Sequence, residues 1–247
     1  MITTPVFSAP RFHVQPGLSP GAELSLPARA AQHVAVLRLR QGDAVILFDG
    51  CGGEYTCTLS RMGKNETRVR VASHSDVERE STLDITLAQG LSSGDRMDYA
   101  LQKATELGVS RIQPIATERS VVRVSEDRAE RKLAHWQNVV TAACEQCGRN
   151  RVPEVVPVVT LPAYLSAVRG EALRLILAPE AKLRLRDLEP ANSIEILIGP
   201  EGGLTDVERQ SAERAGFTPV RLGPRVLRTE TAPIAAISTL QAMWGDA

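Results

Sequence analysis

The chain has 247 residues, long enough for one large domain or two modest ones. Its 29 basic side chains are matched by 29 acidic ones, a formal net charge of +0, which excludes a globally basic nucleic-acid binder and leaves any polyanion site to be local. Aromatic residues make up only 4%, so the core has to come from Val, Ile, Leu and Ala.

No apolar run reaches the roughly 18 residues that a spanning helix needs. The first ten residues (MITTPVFSAP) lack the basic and apolar blocks of a secretion signal. Four cysteines in a chain this long do not look like a disulfide framework. The expectation is a reducing, cytoplasmic setting.

The first part of the chain alternates short apolar runs with turn signals. Strands are predicted over 44–50, 54–59 and 67–72, and a short helix over 30–39, which is a hairpin-rich β module. The charged stretch 73–82 (SHSDVEREST) reads as a linker. Beyond it the pattern becomes βα alternation, the mark of a mostly parallel sheet. Strands are expected over 84–88, 111–115, 173–177, 194–198 and 219–222. Helices are expected over 95–107, stopped by Gly108, over 126–147, and over 234–244.

Parallel sheets gather ligand sites at the carboxyl ends of their strands, which singles out the loops at 178–182, 199–203 and 223–231. The second, Gly199 to Gly203 (GPEGG), fits neither the Walker nor the Rossmann phosphate pattern. Glu201 would repel a phosphate, and Thr205 with Glu208 has the spacing of a capping box at the next helix. Such a loop suits a neutral or cationic ligand; as a bare turn it needs only Gly for φ and Pro for rigidity. The third loop (GPRVLRTET) holds Val226 and Leu227, apolar side chains that are wasted unless they wall a pocket, beside Arg225, Arg228 and Glu230. Thr231 can cap the last helix, with Pro233 in its first turn.

Cys144 and Cys147 have CxxC spacing but sit late in a long helix, away from the N-terminal position that activates redox pairs. Cys51 and Cys57 are wrongly spaced for a zinc knuckle, and His13, His33, His74 and His135 show no metal-ligand spacing. No metal is expected.

The runs 198–204 (IGPEGGL) and 222–232 (LGPRVLRTETA) closely resemble the signature of one SPOUT methyltransferase family, the small-subunit ribosomal RNA methyltransferase E type, which methylates uridine N3 in 16S rRNA. Further matches are 11–14 (RFHV), 33–43 leading to 48–50 (FDG), 103–109 (KATELGV), 118–120 (ERS) and 145–149 (EQCGR). The resemblance implies a PUA-like β-barrel RNA-binding domain over 1–73, a linker over 74–82, and an α/β trefoil-knotted SPOUT methyltransferase domain with a mostly parallel sheet over 83–247. It also implies S-adenosyl-L-methionine as methyl donor, 16S rRNA or the small ribosomal subunit as partner, and a homodimer with its active site at the subunit interface, away from any membrane.

On that footing the donor would be held by Leu177, Pro179, Ile198, Gly199, Glu201, Gly203, Leu222, Gly223, Val226 and Leu227. Arg228 would stabilise a developing oxyanion or grip phosphate, and Glu230 would remove the N3 proton or orient Arg228; the two could instead form a structural ion pair. RNA contacts would come from Arg11, Arg38, Arg40, Arg119, Arg123 and Arg149, each of which could also be an ordinary surface arginine. The rival readings are a SPOUT enzyme acting on another nucleotide or on a ribose 2′-oxygen, and a non-catalytic RNA-binding scaffold. The loop at 89–96 lacks the Asn usual in ribose-methylating relatives.

Overall fold

Short alternating runs close the first sheet around a Val- and Leu-built core. In the computed structural model, which describes residues 9–63, 66–120 and 126–247 and omits the side chains of 126–128, the first compact unit comprises Met1–Glu80 and Cys144–Val152. Its elements are β1 (Arg11–His13), β2 (Glu23–Ser25), α1 (Ala28–Val36), β3 (Ala44–Phe48), β4 (Glu54–Met62) and β5 (Thr67–Ser75). The strand order is β1-β3-β4-β5-β2, with β1 parallel to β3 and the other pairs antiparallel. Alternate residues such as Val45, Leu47, Leu59, Val69 and Val71 point inward and meet Phe12 and Val34, the period-2 pattern of a half-buried sheet.

The stretch read as a linker is tied down. β5 runs to Ser75, Glu78 accepts from Arg151 Nε at 2.9 Å, and Glu80 accepts from Arg149 Nε at 3.0 Å. Charges that mark the segment as solvated in the sequence are spent on ion pairs with residues about seventy positions away. No local period can reveal such pairs.

The second unit comprises Ser81–Ala143 and Pro153–Ala247. In chain order it holds β6 (Asp84–Gly90), α2 (Gly94–Glu106), β7 (Arg111–Ala116), α3 (Glu126–Cys147, whose last residues group with the first unit), β8 (Glu154–Val155), β9 (Val159–Thr160), α4 (Leu161–Ala167), β10 (Leu173–Leu177), a 3-10 turn (Leu185–Asp187), β11 (Ser193–Ile198), α5 (Asp206–Arg214), β12 (Thr218–Val220) and α6 (Thr231–Trp244). All its strand pairs are parallel, in the order β12-β10-β11-β6-β7-β8, with β9 also on β7. Near-continuous apolar runs such as 194–198 fit strands covered on both faces, and Ile194, Ile196, Leu197, Leu87 and Leu175 are buried.

Local signals set the helix ends. Gly108 has φ +88 and stops α2 as expected, and Gln241 of α6 donates to the freed Leu107 carbonyl at 2.9 Å. The Thr205–Glu208 capping box is present on α5. The α6 expectation needs correcting: the helix already begins at Thr231, its N-cap is Glu230, and no side chain caps it. The Arg228 carbonyl takes the first amides instead, from Thr231 and Ala232, each at 2.9 Å.

Gly90 ends β6 where the chain at 199–200 passes overhead. A Cβ there would stand 2.6 Å from Pro200 N and 2.8 Å from Gly199 C. Backbone cannot yield as a flexible side chain can, so Gly90→Ala should cost about 1–3 kcal/mol. Urea denaturation of wild type and variant measures it, and an unchanged midpoint would show that the loop has room to move.

Candidate active site

β10 lies between β11 and β12, so three strands open their carboxyl ends side by side. The loops leaving them enclose a cleft of about 610 Å³. Every residue assigned above to the donor lines it: Leu177 and Pro179 from the first loop, Ile198, Gly199, Glu201 and Gly203 from the second, Leu222, Gly223, Val226 and Leu227 from the third. Arg228, Glu230 and Arg119 line it too. The size is that of a drug-sized ligand site. Val226 is 80% exposed at the wall, an apolar surface left bare until something covers it.

Glu201 is anchored through one oxygen. Its Oε1 accepts from Ser93 N at 2.9 Å and from Arg96 Nη1 at 3.2 Å. Ser93 is the N-cap of α2 and caps it with no side-chain bond of its own, so Glu201 supplies the negative group that a helix start favours. Burial pushes the Glu201 carboxyl up, but the Ser93 backbone N–H, its own N–H, the Ser93 hydroxyl and Arg96 outweigh that and hold it below the usual carboxylate value. Its Oε2 is buried and takes no hydrogen bond.

Other contacts bind the loops to one another. Arg119 Nη1 donates to the Gly202 carbonyl at 3.0 Å. Glu208, besides closing its capping box, accepts from Glu118 N at 2.8 Å. Thr229 Oγ1 donates to the Gly199 carbonyl at 2.9 Å and accepts from Gln89 Nε2 at 3.0 Å. Gln89, Ser93 and Thr229 escaped the sequence reading because neutral side chains carry no charge signal, and Arg96 because a lone arginine on a helix looks like any solvated one.

Arg228 is exposed and Glu230 half-buried. They make no ion pair with each other among the described residues, and Glu230 Oε2 is buried without a hydrogen bond. A structural Arg228–Glu230 pair is therefore not what holds this loop. Buried polar atoms are normally satisfied. Glu201 and Glu230 each keep one unsatisfied buried oxygen, in a cleft whose lining also carries Arg96, Arg119, Arg209, Arg221, Arg225 and Arg228.

The arginines assigned to RNA separate into distinct groups. Arg38 and Arg40 are exposed in the first unit, Arg38 at φ 56. Arg123 lies outside the described residues. Arg11 and Arg149 are corrected: at 4% and 5% exposure they are buried braces of the first unit. Arg11 bonds Glu54 and the Asn150 side chain, and Arg149 bonds Glu80. Burying a guanidinium is costly unless such partners offset the lost hydration, and with their charges committed inside the unit neither side chain presents a surface to RNA. The Cys144 thiol is buried and pushed up to about 12 by desolvation, and among the described residues no group of three or more His, Cys, Asp or Glu could hold a metal.

Comparison with known proteins adds to this geometry. Residues 79–241 match the RNA methyltransferase domain family and 26–72 match the RNA methyltransferase PUA domain family. The ribosomal RNA small subunit methyltransferase E of Buchnera aphidicola is 32% identical over 240 residues, covering 96% of this chain and 97% of the relative; that of Bacillus subtilis is also 32% identical, covering 87% and 88%. Among solved structures, a methyltransferase of Legionella pneumophila in complex with S-adenosylmethionine is similar with TM-score 0.94 at 42% identity, covering 98% of this chain and 100% of that one. The ribosomal RNA small subunit methyltransferase E of Neisseria gonorrhoeae bound to S-adenosyl methionine reaches TM-score 0.91 at 44% identity, covering 96% and 99%.

The Glu201 anchor gives a pH dependence. Its folded value lies below the ordinary 4.5, so the stability it contributes is complete above that value and is lost as pH falls through the folded one. Between about pH 5 and pH 3, Glu201→Gln should lose less stability than wild type. Unfolding free energies measured across that range decide it, and parallel curves would remove the linkage.

Proposed function

Since this chain belongs to the ribosomal RNA small subunit methyltransferase E family, we propose that it transfers a methyl group from S-adenosyl-L-methionine to N3 of a uridine in 16S rRNA. The observation that carries the reading is the cleft at 177–230, where Arg228 and Glu230 line a pocket whose walls include Leu177, Ile198, Leu222, Val226 and Leu227.

S-adenosylmethionine supplies an electrophilic methyl on a sulfonium sulfur. Leu177, Ile198, Leu222, Val226 and Leu227 would sandwich its adenine, while backbone groups of the same loops hold the adenine and ribose edges. Glu201 is compatible with a cationic donor, as it is not with a nucleotide phosphate. Uridine N3 carries a proton at neutral pH and offers no lone pair to the methyl until that proton goes. Glu230, which lines the cleft, would take it. Arg228 would stabilise the negative charge spreading onto the uracil oxygens. The methyl then passes from sulfur to N3, leaving neutral S-adenosylhomocysteine and 3-methyluridine. Holding methyl and N3 in line supplies the remaining acceleration.

The RNA grip in this reading falls to Arg119 at the cleft and to exposed Arg38 and Arg40 in the PUA-type unit. The reading also includes a deep trefoil knot made from residues 177–182, 198–204 and 222–232, a homodimer, and action in the cytoplasm. A ribose 2′-oxygen or another base is the alternative target, and product analysis separates them.

Mass spectrometry of 16S rRNA nucleosides from a strain lacking this protein should show no 3-methyluridine, restored by the wild-type chain. Arg228→Ala should lower methylation by about 10²–10³-fold while calorimetry finds S-adenosylmethionine still bound. Persistence of 3-methyluridine in the deletion strain would overturn the target, and full methylation by Arg228→Ala would take that residue out of the chemistry.

A further inference from the structure

Gln89 is a wholly buried amide at 0% exposure on β6, a strand flanked on both sides in the sheet. Its Nε2 donates to Thr229 Oγ1 at 3.0 Å and to the Gly90 carbonyl at 3.3 Å. Thr229, at 6% exposure, passes its single hydroxyl proton to the Gly199 carbonyl at 2.9 Å. A hydroxyl has one proton to give and lone pairs to accept with, so the chain runs one way: amide to hydroxyl to carbonyl. It joins the central strand, the loop carrying Glu201 and the segment carrying Arg228 and Glu230.

Thr229 stands between those last two residues. Its side chain is buried while Arg228 is exposed and Glu230 half-buried, all three lining the cleft. Fixing the middle side chain therefore fixes the direction in which the flanking ones leave the backbone. The Arg228 carbonyl, which starts α6, locks the same segment from its other side. Packing alone does not explain the amide. Gln89 Oε1 is buried with no hydrogen bond, and an orphaned acceptor of that kind is destabilising. A Leu or Met would fill the space without leaving one.

We propose that Gln89 and Thr229 are positioning residues, a clasp that holds Arg228 and Glu230 in register with the donor loop at Gly199. The proposal rests on the methyl-transfer reading above. It says where the alignment of acceptor and donor comes from: a hydroxyl bridge between the segment that handles the uridine proton and the loop that walls the methyl donor.

The test compares Thr229→Val, which keeps shape and removes the hydroxyl, with Thr229→Ser, which keeps the hydroxyl, and with Gln89→Met. Single-turnover methylation of small ribosomal subunits from the deletion strain is measured at saturating S-adenosylmethionine, with donor affinity by calorimetry. Thr229→Val should slow methyl transfer about 10–100-fold, the cost of a misplacement near 1 Å, with donor affinity changed far less. Thr229→Ser should recover most of the rate, and Gln89→Met should fall between. In the ligand-free protein, the amides of Thr231 and Ala232 should exchange with solvent faster in Thr229→Val than in wild type. That last readout needs no donor, so failure of wild type to bind S-adenosylmethionine would sink the methyl-transfer reading while exchange still judges the clasp. Wild-type transfer by Thr229→Val, equal loss in Thr229→Ser, or unchanged exchange would overturn the proposal. So would loss of folding in both Thr229→Val and Gln89→Met, which would make the two residues structural supports.

Discussion

Everything in the cleft depends on where the sheet puts β10. With β11 on one side of it and β12 on the other, three strands that are successive in the chain end at one edge, and their loops have to share a small space. Parallel pairing forbids tight hairpins, so each return goes through a crossover, and the loops must also launch the helices. The loop at 199–203 starts α5 within a few residues, and the segment at 228–230 starts α6. Crowding is the direct result. Gly90 lies under Pro200, Gly199 has the Gly203–Leu204 peptide 3.1 Å from where a Cβ would be, and Gly202 has Arg119 Cβ at 3.1 Å. Gly90 and Gly199 serve close approach of backbone to backbone, Gly202 leaves room for the Arg119 side chain, and Gly203, at φ +66, serves the turn conformation.

Crowded backbone still has to satisfy its polar groups. The solution is to borrow side chains across the loops: Glu201 for the start of α2, Glu208 for Glu118 N as well as for its own helix, Arg119 for the Gly202 carbonyl, and Thr229 for the Gly199 carbonyl. Each bond consumes one valence of a charged or hydroxyl group and leaves others open. Glu201 shows the consequence most clearly. One oxygen is committed to Ser93 and Arg96, the other is buried and vacant, so a residue that lines the cleft also braces the scaffold. A chain with formal net charge +0 thereby keeps strongly local fields at this one place, where Arg96, Arg119, Arg225 and Arg228 stand beside Glu201 and Glu230.

The three loops were legible in the sequence because a mostly apolar run of four or five residues leading into Pro, with Gly beside it in two of the three, marks both a buried parallel strand and its carboxyl end. Val226 and Leu227 were legible as pocket walls because apolar side chains in a loop have no other use. Gln89 and Thr229 were invisible, since a neutral polar residue at a strand end or between two charges looks the same whether it is solvated or holds two loops together. Arg11 and Arg149 were misread for a related reason: a motif reports which residue is present but not its burial, and both guanidinium groups turned out to be enclosed by carboxylates. Strands of two or three residues such as β8, β9 and β1 are shorter than any period needs to declare itself. The grouping of 144–152 with the first unit is a long-range fact that local periodicity does not carry.

In the proposed reading, Arg228 and Glu230 can act on a nitrogen that must first lose a proton because they are kept apart. Opposite charges two residues apart on a loop would ordinarily neutralise one another, and a closed pair offers a ligand neither a base nor a cation. Here the residue between them is held down by its own hydroxyl bond, the carbonyl before it is occupied by the first amides of α6, and the two side chains stay unpaired with each other. Keeping them apart costs stability, because Glu230 Oε2 is buried without a donor. Strain of that kind is a recurrent property of sites preorganised for charge that develops only during reaction. In the proposed chemistry Glu230 takes the proton of uridine N3, and Arg228 meets its anion only once that proton has moved. On that proposal the arrangement would favour the transition state over the resting protein, which is the condition for a binding contact to raise the rate.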